Sequence, residues 1–152
     1  MRNFFKEILC NNFSTVPVVI FRLSGIYGPG NNAIMKVKNG TARSVYKKDH
    51  TFSWIHVEDI AQIVVKCMEK ITNSQIFNVS DDFPIATWEL NNYAATLLGM
   101  EAPNVIDIDS PDVSESYRNF FKDNKKVANK KIKQFLASNV KNFYLSSVEI
   151  FH

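Results

Sequence analysis

The sequence is poor in the features that mark secreted, membrane-embedded or metal-dependent proteins. It has two cysteines in 152 residues. Cys10 and Cys67 lie far apart and form no CxxC, so neither a disulfide framework nor a zinc ribbon is encoded. A reduced, cytoplasmic compartment is the expectation. No apolar run approaches the roughly 20 residues of a membrane span. The first residues, MRNFFKEILCNNF, hold neither a long apolar core nor a small-residue cleavage site, so no signal peptide is read. Charge of one sign is scarce as well. The net charge is +3, too small to imply a nucleic-acid partner. There is no HExxH, no P-loop, no Ser/His/Asp signature, no internal repeat and no metal-ligand spacing.

What is present is a globular composition, 45% hydrophobic and 22% charged, in a chain long enough for one domain. The basic excess is local: Lys122, Lys125, Lys126, Lys130, Lys131 and Lys133 read as a solvated helix face with its flanking loop, or alternatively as a phosphate-binding face. Phe4, Phe5, Ile8 and Leu9 make the apolar stripe of a short helix. Val16 to Phe21 is apolar on both alternating faces, the pattern of a strand buried in a parallel sheet. A helix leading into such a strand is the second half of a βαβ unit, whose first strand is expected upstream of Met1. Val18 and Ile20 are then expected to be unusually exposed, with poor solubility or self-association as the result.

Further along, residues 32–39 read as a short helix closed by Gly40. Ser44 to Tyr46 and Thr51 to Val57 read as two strands around the polar turn Lys47 to His50. A helix is indicated from Val57 to about Ile71, with Ile60, Val64, Cys67 and Ile71 in one stripe widened by Ala61, Val65 and Met68. Gln75 to Val79 reads as a strand. Thr87 is the expected N-cap of a helix stopped by Gly99, and Ser110-Pro111 the expected start of a helix to about Phe121. A short strand near Lys126 to Ala128 and a helix from Asn129 to Ala137 complete the pattern. The segment 143–151 stays ambiguous.

Gly25, Gly28 and Gly30 spell G-x-x-G-x-G after a strand, the outline of a dinucleotide fingerprint. The loop does not read as a pyrophosphate site. Pro29 has no N–H where a phosphate cradle needs donors, and two short strands follow where a crossover helix should. Asp49, at a ribose ligand's distance downstream, falls in a polar turn. A glycine-rich turn with no ligand is the plainer alternative.

Four ordered blocks carry a family resemblance. They are Phe21-Arg22-Leu23-Ser24-Gly25-Ile26-Tyr27-Gly28-Pro29-Gly30-Asn31, Ile55-His56-Val57-Glu58-Asp59-Ile60-Ala61, Ile76-Phe77-Asn78-Val79-Ser80-Asp81-Asp82-Phe83-Pro84, and the segment from Phe120 to Lys133 centred on Lys126-Val127-Ala128-Asn129. Their order and spacing resemble the carboxy-terminal half of the extended or atypical short-chain dehydrogenases/reductases, the NAD-dependent epimerase/dehydratase family. The resemblance implies an α/β fold that is the carboxy-terminal part of a Rossmann-type fold. One or two late sheet strands would stand beside a small α/β substrate-binding region, and the sheet would be incomplete. Residues 1–31 would be the late Rossmann helix, strand and loop, and residues 32–152 mostly the substrate-binding region. The implied cofactor is NAD or NADP, contacted by Ser24, Gly25, Ile26, Tyr27, Gly28 and Pro29 at its nicotinamide end. Asn31, Asn32 and His56 are the implied substrate-binding residues. His56 alternatively packs as a structural residue, and Asp59 reads as a first-turn carboxylate that favours free N–H groups. Trp54 departs from the pattern, because the resembled branch often has Arg there. Indole has one donor and no charge. The finish from Lys141 to His152 echoes the family's only in part.

The family's chemistry uses a Tyr as general acid/base with a Lys four residues later. The residues four beyond Tyr27, Tyr46, Tyr93, Tyr117 and Tyr144 are Asn31, His50, Leu97, Phe121 and Val148. None is Lys, so no catalytic residue and no metal ligand is assigned. The sequence thus reads as a carboxy-terminal fragment of an NAD(P)-dependent nucleotide-sugar epimerase/dehydratase-like oxidoreductase, inactive alone. Two alternatives stand beside it. One is a half-enzyme completed by a separately encoded Rossmann partner; the other is a non-enzymatic interaction module. Neither a nucleic acid nor a membrane is an expected partner.

Overall fold

The computed structural model describes residues 17–137. The predicted amino-terminal helix, Cys10 and the ambiguous end lie outside them. In chain order the elements are β1 (Val19–Leu23), β2 (Gly25–Tyr27), α1 (Ala33–Lys38), β3 (Ser44–Tyr46), β4 (Trp54–His56), α2 (Val57–Lys70), β5 (Gln75–Val79), α3 (Thr87–Leu98), β6 (Val105–Asp107), α4 (Glu115–Phe120) and α5 (Lys130–Ala137). The fold is α/β. All three strand pairs are parallel: β1 with β5, β2 with β4 and β3 with β6. Parallel neighbours need crossover connections, so each pair joins distant parts of the chain.

The core under β1 and β5 holds Ile55, Ile63, Cys67, Phe77, Val79, Ile132 and Leu136, which brings α2 and α5 onto that sheet. A second cluster of Tyr27, Ala33, Val37, Leu90, Ala94 and Ala95 joins β2 to α1 and α3. A third, Val45, Phe52 and Phe121, lies beneath the 47–50 turn. Val18 and Ile20 are half-buried. Among the described residues no helix is long and apolar enough to cross a membrane.

Several local expectations change. The strands flanking residues 47–50 form no hairpin, since each pairs in parallel with a remote strand. The turn is held from outside. His50 Nε2 lies 3.0 Å from the carbonyl of Asp123, Asn124 Nδ2 donates to the carbonyl of Asp49 at 2.8 Å, and Lys47 Nζ donates to the carbonyl of Phe121. Asp49 takes φ of 55° at the tip. The inward face of α2 is also rotated from the expected stripe. Asp59, Ile63 and Cys67 are buried, whereas Val65 and Met68 are 56% and 80% exposed. An apolar count passes over an acid, and the buried line begins at one.

Helix α3 is capped at Ala86, one residue before the expected Thr87. Glu89 reaches back to accept from the Ala86 N–H at 3.2 Å. Helix α4 starts at Glu115 after the Ser114 cap, because residues 110–113 form turns. Arg118 donates to the carbonyls of Ile108 and Ser110 at 3.2 and 2.6 Å and holds those turns in place. No strand forms at 126–128. Ser53 Oγ and Ser80 Oγ bond the backbone of Val127 in place of a ladder. Three lysines of the basic cluster are engaged within the chain. Lys133 pairs with Asp82, Lys131 sits over the Phe77 ring, and Lys125 sits over Phe120.

Candidate functional site

The loop after β1 is built by strand pairing. Ser24 donates both its N–H and its hydroxyl to the carbonyl of Val79, each at 3.0 Å. Gly25 N–H donates to the carbonyl of Ser53 at 3.1 Å, and Gly28 and Asn31 exchange backbone bonds at 3.1 and 3.0 Å. These N–H groups are engaged and Pro29 has none, so the loop cannot cradle a pyrophosphate. The glycines have a packing reason instead. A Cβ on Gly25 would lie 2.7 Å from Cε3 of Trp54, and one on Gly28 would lie 2.6 Å from Cγ1 of Val57. The loop presents apolar surface, with Leu23 and Ile26 42% and 45% exposed.

Ile26 and Tyr27 line a cleft of about 200 Å³, closed by Asn31, Asn32, Ala33, Lys36, Thr41, Arg43, Trp54, Thr87, Leu90, Asn91 and Tyr117. Of the residues singled out by sequence, Ile26, Tyr27, Asn31 and Asn32 reach this cleft. Ser24, Gly25, Gly28, Pro29 and His56 do not line it. Asn31 and Asn32 staple the loop through Nδ2 bonds to the carbonyls of Ile26 and Gly28, at 3.3 and 3.2 Å. Asn32 Oδ1 also caps α1 by accepting from Met35 N–H at 2.9 Å. His56 is buried edge-on against Tyr27, with ring centroids 5.1 Å apart, and its Nδ1 accepts from Glu58 N–H at 3.3 Å to cap α2. That bond leaves the ring proton on Nε2 when the imidazole is neutral.

Lys36, Arg43, Thr87 and Tyr117 reach the cleft from four separate segments, and no motif announced them. Asn91 fixes the backbone at Arg43, because its Nδ2 donates to the Arg43 carbonyl at 3.2 Å and to Ser44 Oγ at 3.1 Å. Arg43 and Tyr117 also border a neighbouring hollow of about 400 Å³ that includes Asp112, Pro103 and Asn104. Among the described residues no group of His, Cys, Asp and Glu could hold a metal ion.

Behind the β2–β4 pair lies a buried acid. Asp81 is 3% exposed. Its N–H donates to the Trp54 carbonyl at 2.7 Å, its Oδ1 accepts from Phe83 N–H at 3.0 Å, and its Oδ2 has no partner. Burial, with Asp82 and Asp59 nearby, pushes its pKa up to about 6. The folded state therefore holds a proton that the unfolded chain releases near pH 4. The stabilisation from that proton is complete below pH 4 and is lost as pH rises through about 6. Asp81→Asn should accordingly be more stable than the parent at pH 8 by about 3 kcal/mol, the difference vanishing below pH 4. Urea melts at both pH values check this; a constant difference across the range would place the origin elsewhere.

The parallel strand pairs and their covering helices form an α/β unit with a cleft beside the loop after β1. The family model described as "NAD dependent epimerase/dehydratase family" matches residues 7–80. Over those residues the chain is similar to that family, and it spans about half the length of the solved structures it matches. A conserved protein of unknown function from Silicibacter pomeroyi is 37% identical, with a TM-score of 0.78, over 90% of this chain and 48% of that one. UDP-N-acetylglucosamine 4-epimerase from Bacillus cereus is 14% identical, with a TM-score of 0.59, over 86% of this chain and 45% of that one. A dTDP-glucose 4,6-dehydratase double mutant from Streptomyces venezuelae, solved with NAD bound, is 13% identical, with a TM-score of 0.63, over 84% and 40%. The last two show the fold alone. No curated protein matches the sequence.

Proposed function

We propose that the chain is the carboxy-terminal, substrate-side half of an NAD(P)-dependent nucleotide-sugar epimerase/dehydratase-like oxidoreductase, inactive without a dinucleotide-binding half. The β1–β5 pair is the observation that carries this reading. Parallel strands are stable when sheet neighbours and helices cover them, and two strands are too few. Among the described residues β1 pairs only with β5, so its other edge is free to continue a sheet. The completing half can lie on the same polypeptide or on another.

In such an assembly, NAD or NADP supplies the hydride chemistry. The loop from Ser24 to Pro29 borders the nicotinamide, with Ile26 giving it an apolar wall and Tyr27 closing the substrate side. Asn31 and Asn32 hold that loop in shape, and His56 braces Tyr27 from behind. The general acid/base phenol with its Lys comes from the other half, because no Tyr here has that partner. Titration of NADH and NADPH into the purified chain, followed by cofactor fluorescence, should give no saturable binding. Micromolar affinity for either would overturn the reading.

A further inference from the structure

The second edge of β1, which pairs with no described residue, has a definite pattern of bonding groups. The Val18 carbonyl accepts from Gln75 N–H at 2.9 Å, and Ser24 N–H donates to the Val79 carbonyl at 3.0 Å. Backbone groups alternate sides along a strand, so residues 18, 20, 22 and 24 bond toward β5. Val19, Phe21 and Leu23 therefore turn their N–H and carbonyl groups to the open edge. Nothing inside β1 blunts that edge. The run VIFRL holds no proline, its register with β5 is unbroken, and Arg22 is its one charge.

Helix α2 leaves a second apolar surface beside this edge. At about 3.6 residues per turn, Asp59, Ile63 and Cys67 share the buried side, and Ile63 and Cys67 join the core that Val19 and Phe21 pack against. Lys70 marks the flank toward α5, donating to the Leu136 carbonyl at 3.5 Å. The opposite flank carries Val57, Ala61, Val64, Val65 and Met68 with no polar residue among them. All but the half-buried Val64 are exposed. Glu58, Gln62 and Glu69 lie beyond that flank and are exposed as well. Because α5 packs on β5 through Phe135 and Phe77, the apolar flank of α2 looks out over the open edge of β1.

We infer that the chain pairs with a second copy of itself, β1 against β1 in antiparallel register about Phe21, with the two α2 flanks packed together. The register follows from the backbone. A two-fold axis at Phe21 sets Phe21 against Phe21 and Val19 against Leu23 of the second copy. These are the residues whose bonding groups face the edge. Antiparallel neighbours exchange both bonds at alternate pairs, so this one register satisfies every open group. Such an axis runs through the sheet and brings both α2 helices to the same face. One operation thus covers strand edge and helix flank together, in an isologous contact. The charges agree. Arg22 falls opposite Ile20 of the second copy and not opposite itself, and the apolar flank holds no acid, so no like charges meet at the centre. The inference goes beyond the proposed function and concerns the chain on its own. A completing half would take the same edge in place of the second copy.

Sedimentation equilibrium should show the full chain exchanging between monomer and dimer at micromolar concentration. Amide hydrogen exchange reads the register. The amides of Val19, Phe21 and Leu23 should be protected only where dimer dominates, whereas those of Ile20 and Arg22 stay protected on dilution. Ile20 belongs to none of the three core clusters, so charge can be tested there. Ile20→Lys puts a cation opposite Arg22 of the second copy, and Ile20→Glu puts an anion there. Their dimer dissociation constants should differ by about tenfold or more, Ile20→Glu being the tighter. The Val65→Lys, Met68→Lys double variant alters exposed side chains only and should be a folded monomer. A parent chain that stays monomeric at every concentration overturns the inference. So do Val19, Phe21 and Leu23 amides protected regardless of dilution, equal constants for the two Ile20 variants, or a double variant that dimerises like the parent. None of these readouts involves a cofactor, so NADH binding by the chain would overturn the proposed function and leave them intact.

Discussion

Phe77→Ala should leave the chain largely unfolded at room temperature. Phe77 is 1% exposed in the middle of β5. It faces Phe21 of β1 with ring centroids 6.2 Å apart and Phe135 of α5 at 5.1 Å, and Lys131 Nζ sits 5.0 Å from its ring centre. One side chain thus ties the strand pair to the helix that covers it. Removing a buried Phe costs about 3–5 kcal/mol through lost transfer energy and the cavity left behind. Domains carry only about 5–15 kcal/mol in total, and a two-stranded sheet belongs at the low end. Phe77→Leu keeps most of the volume and should lose about 1–2 kcal/mol and remain folded. Urea melts by circular dichroism read both. An alanine variant with the parental midpoint would show that this cluster is not part of the cooperative core.

Gly25→Ala should cost about 2 kcal/mol although it adds a single methyl group. The new Cβ would stand 2.7 and 2.9 Å from Cε3 and Cζ3 of Trp54. The indole cannot move aside freely, since its N–H is tied to the Ile85 carbonyl at 3.4 Å and Phe52 packs beside it at 6.1 Å between centroids. The double variant Gly25→Ala, Trp54→Leu should recover part of the loss, a coupling measurable by a double-mutant cycle. A Gly25→Ala variant as stable as the parent would separate this glycine from packing. Gly28→Ala meets Val57, an exposed side chain at the start of α2, and should cost less.

These two residues show what could be read from sequence. Phe77 lies in the run Gln75 to Val79 that reads as a strand, and both that strand and the helices α1, α2 and α5 emerged near their expected bounds. Periodicity captures such elements because one face repeats. It fails for three-residue strands. β6 gave no signal, and β3 and β4 looked like a hairpin because a polar turn separates them. That turn is stabilised by residues 121–124, about which local pattern contains nothing. Gly25 and Gly28 stood in a phosphate-loop spelling, yet their lack of a Cβ serves the approach of β4 and α2. At the site, the loop residues Ile26 and Tyr27 were legible because they are contiguous. Lys36, Arg43, Thr87 and Tyr117 were not, because only the tertiary fold brings them together. Trp54 removed a charge from the expected position, and two others stand elsewhere around the same space.

The parallel pairing has a further consequence, in time. Gly25 and Trp54 are 29 positions apart, Val19 and Gln75 are 56 apart, and Ser44 and Val105 are 61 apart. Every ladder in the described fold must close a long loop before any of its bonds form, which slows folding. During synthesis, β1 cannot pair with β5 until β5 has emerged, and β3 waits longer for β6. The cleft, bordered at one end by Ile26 and at the other by Tyr117, is completed late in that sequence of events. Until then the edge of β1 that β5 will occupy stays open to misplaced pairing.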